Sequence, residues 1–265
     1  MKPDGSIGSY TLPGNMCIGH TRYPTSGSDP ITDAQPVRSS KFGIAMAHNG
    51  QINDVDDSIS AMLEANSLYP RSKCDVELLL HSLKDSLWKE KTRGQLTNNE
   101  IKNAVKNTME SISASAYSAI AIIQDKMVAF RDPMGIKPFV YGTKLGIDGE
   151  MIYGFASESL PLTELEFELE SIKDIPPGGV AIYSTRDNTF ELERLIESDP
   201  KHCVFEFVYF SDPSSVENGL SVSKIRSSLG QLGAEIFNAK GYRVCLLYTS
   251  PSPRDRTRSR MPSSA

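Results

Sequence analysis

Four stretches of the chain carry apolar residues three or four positions apart. They are Val55–Asn66, Asp75–Leu87, Asn99–Ile112 and Ser221–Phe237. This spacing places the apolar side chains on one face of an α-helix, so the pattern predicts four amphipathic helices. The apolar stripe of the last helix consists of Ile225, Leu229, Leu232 and Ile236.

Short apolar runs and alternating apolar residues predict strands. The predicted strands are Phe42–Ala47, Tyr117–Gln124, Lys126–Arg131, Phe139–Gly142, Met151–Ala156, Gly179–Ser184 and the alternating run Val204–Phe210. We expect Asn49-Gly50 to form a turn after the first strand and Gln124-Asp125 to close a hairpin. We expect the fourth and fifth strands to extend the same sheet. Strands at both ends with helices between them indicate an α+β fold with two sheets and a helical layer.

Composition narrows the range of partners and locations. The 265 residues carry a net charge of −5, which argues against a general nucleic-acid surface. The sequence contains no run of eighteen apolar residues, so no membrane span is indicated. The N-terminus lacks the apolar core of a signal peptide. The four cysteines form neither a CxxC pair nor a disulfide framework, so a reduced, cytoplasmic setting fits best.

Residues 245–265 differ in kind from the rest. They are rich in Arg, Pro and Ser and almost free of apolar residues after Tyr248, so we expect them to be disordered. One interpretation is a basic tail that binds an acidic partner. The other, which we favour, is a non-native extension that resembles translated sequencing adapter, and it is excluded from the prediction of the fold.

Two short motifs contain groups that can bind a substrate. In the segment Gly19–Gly27, Arg22 supplies a planar cation that can bind a carboxylate through two hydrogen bonds. Asn49 supplies an amide donor, and Gly50 supplies a backbone N–H with no Cβ beside it. Such donors can stabilise the oxyanion of an acyl-transfer intermediate. Taken singly, each motif is also typical of a surface turn or a hairpin turn.

Seven blocks in order carry a resemblance to a known family. They are Gly19–Gly27, Ala47–Gly50, Cys74–Glu77, Arg131–Phe139, Ala156–Ser159, Pro176–Gly179 and Cys203–Pro213. Together they resemble the class II glutamine amidotransferase domain of the amidophosphoribosyltransferase family. Glucosamine-6-phosphate synthase, glutamate synthase and asparagine synthetase, which contain related domains, are the alternative within the fold. The resemblance implies the αββα sandwich of N-terminal-nucleophile hydrolases, incomplete at its N-terminus.

The resemblance also implies a glutamine site. Arg22 is expected to bind the α-carboxylate and Asp75 the α-ammonium, with Tyr23 and Thr25 in the pocket. Asn49 and Gly50 are expected to form the oxyanion hole. An alternative interpretation makes Asp75 the N-cap of the helix that follows it.

Two more residue groups receive structural roles. His48 is expected to support the turn rather than to act as a base. Arg131, Asp132 and Gly135 are expected to fix a tight turn beneath the pocket, with a buried Arg–Asp pair.

The family uses a cysteine at the mature N-terminus as the nucleophile, and this chain begins with Met1. Cys17 is interpreted as a small buried apolar residue. We therefore expect a fragment that has lost the nucleophile and the first strands and is itself inactive. The parent enzyme would convert glutamine and phosphoribosyl pyrophosphate to 5-phosphoribosylamine in the first committed step of purine synthesis. A catalytically silent module that binds glutamine or a partner protein is the alternative.

The resemblance implies a division of the chain and a set of cofactors. Residues 1–215 would form the amidotransferase domain, and residues 216–244 the start of a phosphoribosyltransferase domain that uses Mg²⁺. Cys203 is a candidate ligand of a 4Fe–4S cluster, whose other three ligands would lie beyond this sequence. The family forms homo-oligomers.

Overall fold

The computed structural model describes residues 14–21, 32–53, 74–91, 94–112 and 115–242. The helix predicted at Val55–Asn66 and the tail at 245–265 lie outside these ranges.

Within the described ranges the chain forms helices and antiparallel strands. The α-helices are α1 (Val76–Glu90), α2 (Asn98–Ser111), α3 (Ser159–Glu164) and α4 (Val222–Ala239). The strands are β1 (Val37–Ser39), β2 (Ile44–Gln51), β3 (Ala116–Ile123), β4 (Lys126–Arg131), β5 (Val140–Leu145), β6 (Met151–Ala156), β7 (Lys173–Asp174), β8 (Gly179–Ser184), β9 (Thr189–Arg194), β10 (Val216–Glu217) and β11 (Leu220–Ser221). Short 3-10 turns at Lys41–Gly43 and Leu169–Ser171 and a π-helix at Glu206–Phe210 complete the described elements.

The strands form two sheets and a small hairpin. The larger sheet has the order β1-β2-β3-β4-β8-β9, and the smaller has the order β6-β5-β7. Every pairing in both sheets is antiparallel. β10 and β11 pair only with each other.

Alternation along the strands of the larger sheet separates two cores. Val128 and Phe130 of β4 face α1 and α2, whereas Ala129 between them faces the smaller sheet. The helix-side core is the larger, and the fully buried Leu79 and Leu83 of α1 lie within it. Each such side chain contributes roughly 1.5–3 kcal/mol relative to an exposed one.

A third cluster covers the outer face of the smaller sheet. Val140 of β5 packs there against Leu162 of α3 and against Phe167. The layers are therefore helices, six-stranded sheet, three-stranded sheet and a short outer helix, and the predicted αββα order is confirmed.

The helix predictions that fall in the described ranges are confirmed to within a few residues, as is the hairpin at Gln124-Asp125. The start of α2 shows why residues close together in the sequence were enough to predict this helix. Thr97 accepts a hydrogen bond from the Glu100 N–H, and the Glu100 carboxylate accepts one from the Thr97 N–H, so the pair forms a capping box.

Two strand predictions were wrong. β5 and β6 do not extend the first sheet but form the second one with β7. The alternating run Val204–Phe210 contains a π-helix instead of a strand, and of its apolar side chains only Phe207 is buried. Short alternation alone does not supply a partner strand, and none of the described strands pairs with this segment.

The apolar stripe of α4 is exposed. Leu229, Leu232 and Ile236 are each between 44% and 53% accessible, although the helix forms where it was predicted. In the described part of the chain, no helix combines the length and apolarity needed to cross a membrane.

Candidate glutamine site at the edge of β2

Beyond the end of β1, one edge of β2 is unpaired among the described residues, and we call it the open edge. β1 pairs with β2 only over Ile44–Met46, while β3 pairs along the whole strand as far as Gln51. Of the described strands, none other than β1 lies on that edge of the sheet. The second half of β2 therefore presents main-chain groups along this edge to other partners.

Strand alternation identifies which groups these are. Tyr117, opposite Gly50, directs both its N–H and its C=O toward Asp132, away from β2. Gly50 is therefore in a non-hydrogen-bonded pair with β3, and its N–H is directed to the open edge. The N–H groups of His48 and Ile52, two residues to either side, point to the same edge.

Side-chain oxygens accept hydrogen bonds from the N–H groups on either side of Gly50. The N–H of His48 donates to Gln35 Oε1 at 2.7 Å, and the N–H of Ile52 donates to Asp75 Oδ2 at 2.9 Å. The N–H of Gly50 thus lies between an amide oxygen and a carboxylate that are both fixed in place. This arrangement gives a main-chain donor next to an anchored anion.

The imidazole of His48 connects these two anchors. It is buried, with Nδ1 3.4 Å from Gln35 Oε1 and Nε2 3.3 Å from Asp75 Oδ1. The Nε2 contact is close but poorly aligned for a hydrogen bond, so its attraction for the carboxylate is mainly electrostatic. The prediction that His48 supports a turn was wrong, because the residue lies inside β2 and contacts the residue that precedes α1.

Asp75 does not cap α1 through its side chain, although it precedes the helix. Its carboxylate instead points to His48 and Ile52. Burial raises the pKa of Asp75, but the contact with His48 and the N–H of Ile52 outweigh it, so the pKa lies below its usual value. Because the folded-state pKa is depressed, the ionised group stabilises the fold above the ordinary carboxyl range, and this contribution is lost as the pH falls through the folded-state pKa.

Asn49 and Gly50 were predicted to form a turn, and this was wrong because both lie within β2. Pairing with Ser118 and Tyr117 of β3 extends the strand through them. A Cβ on Gly50 would overlap the carbonyl oxygen of Ala116 and lie 2.6 Å from Tyr117 Cα, so only glycine fits this approach. Asn49 is half-buried, on the face of the strand opposite His48.

Arg131 and Asp132 are both fully buried, as predicted, but they are not paired as predicted. Among the described residues no salt bridge joins them, because main-chain carbonyls occupy the Arg131 guanidinium and main-chain N–H groups occupy the Asp132 carboxylate. Arg131 donates to the carbonyl oxygens of Gly135, Lys137 and Ile175 at 2.7–3.0 Å. The carboxylate of Asp132 accepts from the N–H groups of Tyr117 and Gly135, so the predicted tight turn is present.

Three predicted substrate contacts, Arg22, Tyr23 and Thr25, lie outside the described residues. Cys17 is described and is exposed, which contradicts its interpretation as a buried residue; it lies in a segment with no helix or strand to turn its side chain inward. Cys203 is partly exposed, just before the π-helix.

Sequence reasoning missed Gln35. This residue lies in a segment without apolar periodicity, and its role depends on two contacts formed only in the folded chain. Its Oε1 accepts from the His48 N–H, and its Nε2 donates to Cys74 Sγ at 3.6 Å. The single available signal, a polar residue in a turn-rich segment, is too common to have identified it.

Comparison with known proteins gives a consistent result. The family described as "Glutamine amidotransferase domain" matches residues 20–164, more than half of the chain. An amidophosphoribosyltransferase from Pasteurella multocida (strain Pm70) is 38% identical over 229 residues, covering 85% of this chain and 44% of that protein. The amidophosphoribosyltransferase of Escherichia coli (strain K12) is 35% identical with the same coverage.

A solved structure agrees. Glutamine phosphoribosylpyrophosphate amidotransferase from B. subtilis, complexed with ADP and GMP, matches with a TM-score of 0.65 and 25% identity, covering 82% of this chain and 43% of that one. The chain thus spans less than half the length of each of these relatives.

Proposed function

Because this chain belongs to the glutamine amidotransferase domain family, we propose that it is the glutamine-binding part of an amidophosphoribosyltransferase. The whole protein would use the ammonia of glutamine and phosphoribosyl pyrophosphate to make 5-phosphoribosylamine, in the first committed step of purine synthesis. The names of the relatives support the reaction, and the open edge of β2 supports the substrate. The single observation that carries the proposal is the position of the Gly50 N–H. It lies between the His48 N–H, which Gln35 binds, and the Ile52 N–H, which Asp75 binds.

The described residues suit two parts of a bound glutamine. Asp75 offers an ionised carboxylate to the α-ammonium, and the Gly50 N–H offers a donor to the side-chain carbonyl. We assign the second donor to the Asn49 side-chain amide, as the resemblance implies. Charge develops on that carbonyl oxygen when a nucleophile attacks, so donors fixed in a folded strand stabilise the transition state more than the ground state. We assign the α-carboxylate to Arg22, and the rest of the pocket to Tyr23 and Thr25, as the resemblance implies.

We also propose the division of the chain made from the sequence, with the amidotransferase domain over residues 1–215, the start of a phosphoribosyltransferase domain over 216–244 and a non-native extension over 245–265. The first boundary rests on the resemblance, and contacts cross it. Arg226 of α4 donates to the carbonyl oxygens of Phe207 and Ser211, so the helix is held by the segment that ends the first domain.

The cofactors belong to the proposal for the whole protein. In the described ranges no three His, Cys, Asp or Glu side chains come together as a metal site, and Cys203 alone does not fit a four-thiolate cluster. Mg²⁺, a 4Fe–4S cluster, phosphoribosyl pyrophosphate and a homo-oligomer are therefore assigned to the longer parent enzyme. The cytoplasmic location stays a prediction from the sequence.

Changing Asp75 to asparagine tests whether its carboxylate binds the α-ammonium of glutamine. The substitution keeps the shape but removes the charge, and a hydrogen bond to a charged group is worth about 1.5–3 kcal/mol, so we expect Asp75→Asn to weaken L-glutamine binding roughly 10- to 100-fold. Isothermal titration calorimetry on the full chain measures this. Asp148→Asn, on an exposed turn, is the matched control and should bind as the parent does. No difference between the two variants would contradict the assignment of Asp75.

Ammonia release distinguishes the enzyme fragment from the silent module. Of the three described cysteines, Cys74 is the one that contacts the site, and its buried thiol is occupied by Gln35 and Asp75. We therefore expect this chain to release no ammonia from glutamine in a coupled glutamate dehydrogenase assay. Release that Asn49→Ala abolishes would contradict this expectation and exclude the silent module.

A further inference from the structure

We propose that His48 is a positioning residue, which Gln35 holds in place so that it orients the Asp75 carboxylate toward a primary ammonium group of the substrate. The proposal rests on the glutamine site proposed above, and it assigns a role to two residues outside the predicted site.

Two contacts hold the imidazole on one side. Gln35 Oε1 accepts from the His48 main-chain N–H at 2.7 Å and lies 3.4 Å from Nδ1 of the same residue. The amide of Gln35 is itself oriented, because its Nε2 donates to Cys74 Sγ. The side chain is 3% exposed and therefore packed in one orientation. Nε2 is left directed at Asp75.

The carboxylate of Asp75 is anchored at both oxygens and open on one side. Ile52 N–H binds Oδ2 at 2.9 Å, and His48 Nε2 lies 3.3 Å from Oδ1. The side chain of Asp75 nevertheless keeps 23% of its surface accessible. An acceptor that is already oriented loses little conformational entropy when it binds a cation, so pre-organisation by His48 favours affinity.

The same geometry excludes His48 as a general base. Both of its ring nitrogens face oxygen acceptors, and the buried ring presents neither of them to a substrate. A base must reach the proton that it removes, directly or through one water. His48 therefore acts through Asp75.

The test compares two ligands that differ in one group. L-glutamine carries the α-ammonium, and glutarate monoamide lacks it. We expect His48→Leu to weaken L-glutamine binding about 10-fold and to change glutarate monoamide binding less than about 2-fold. His48→Gln, whose amide N–H dipole can attract the carboxylate in place of Nε2, should restore most of the loss. Titration calorimetry on the full chain gives these affinities, with His202→Leu, on the exposed segment before the π-helix, as the matched control.

A merely structural role predicts a different pattern. Equal weakening of both ligands by His48→Leu, or no recovery in His48→Gln, would overturn the proposal. Carbon-13 NMR titration of the Asp75 carboxylate gives a second readout that needs no ligand. Loss of His48 should raise the pKa of Asp75, and His48→Gln should partly restore it.

The two readouts separate this proposal from the proposed function. If the parent chain binds neither ligand but the pKa of Asp75 rises in His48→Leu, the glutamine assignment fails while the orientation of Asp75 by His48 stands. If the pKa of Asp75 is unchanged in His48→Leu, the positioning role fails, whether or not the chain binds glutamine.

Discussion

Replacing Arg131 with methionine is expected to destabilise the fold by about 3–5 kcal/mol, a large part of the 5–15 kcal/mol that stabilises a typical domain. Methionine fills much of the space but donates no hydrogen bond. The carbonyl oxygens of Gly135 and Ile175 would then be buried without the donor that each has now, and that of Lys137 would keep only the bond from Ser118 Oγ. Arg131→Lys should recover only part of the loss, because an ammonium cannot reproduce the planar fork.

Urea unfolding followed by circular dichroism measures this effect. Arg194→Met is the matched control, because Arg194 also donates to two carbonyl oxygens but on the surface. Its free energy of unfolding should change by less than about 1 kcal/mol. If Arg131→Met and Arg194→Met unfold at the same urea concentration, Arg131 does not hold the turn and the second sheet together.

A methyl group at position 50 is expected to abolish glutamine binding and to lower the free energy of unfolding by roughly 1–3 kcal/mol. The new Cβ would meet main-chain atoms of Ala116 and Tyr117, which cannot move without separating β3 from β2. The strand end that carries the Gly50 N–H must therefore shift, and the oxyanion donor shifts with it. Calorimetry with L-glutamine and thermal unfolding together report both effects.

Gly230→Ala provides the comparison. Gly230 lies in the exposed part of α4, where an added Cβ would have no neighbouring atom within 4 Å among the described residues. Alanine there should leave binding unchanged and stabilise the helix by up to about 1 kcal/mol. Normal glutamine affinity and normal stability in Gly50→Ala would refute the close approach of β2 and β3 at this position.

Local patterns predicted the elements whose cause is local. α1 and α2 bury one apolar stripe, and the hairpin between β3 and β4 turns at Gln124-Asp125, so periodicity and turn chemistry were sufficient. The proposed roles of Asn49 and Gly50 rest on the resemblance, which did not predict that both residues lie inside a strand.

The failures share a different cause. Asn49-Gly50 is a strong hairpin signal, but pairing with β3, more than sixty residues away, keeps both residues in the strand. The missed strand β9 has polar residues facing solvent and lies at the sheet edge, so its pattern was weak. Gln35 acquired its role from contacts with His48 and Cys74, and no property of its own segment encodes those contacts.

His48, Asn49 and Gly50 use three consecutive positions for three directions in space. The first side chain points to the helices, the second to the opposite face, and the third residue offers its main chain to the open edge. Inserting or deleting one residue between Ile44 and this triplet would exchange all three directions at once, since a strand reverses its faces at every step. Over evolutionary time this strand can therefore change its composition at other positions but not its length, whereas the exposed turn between β5 and β6 is free to grow.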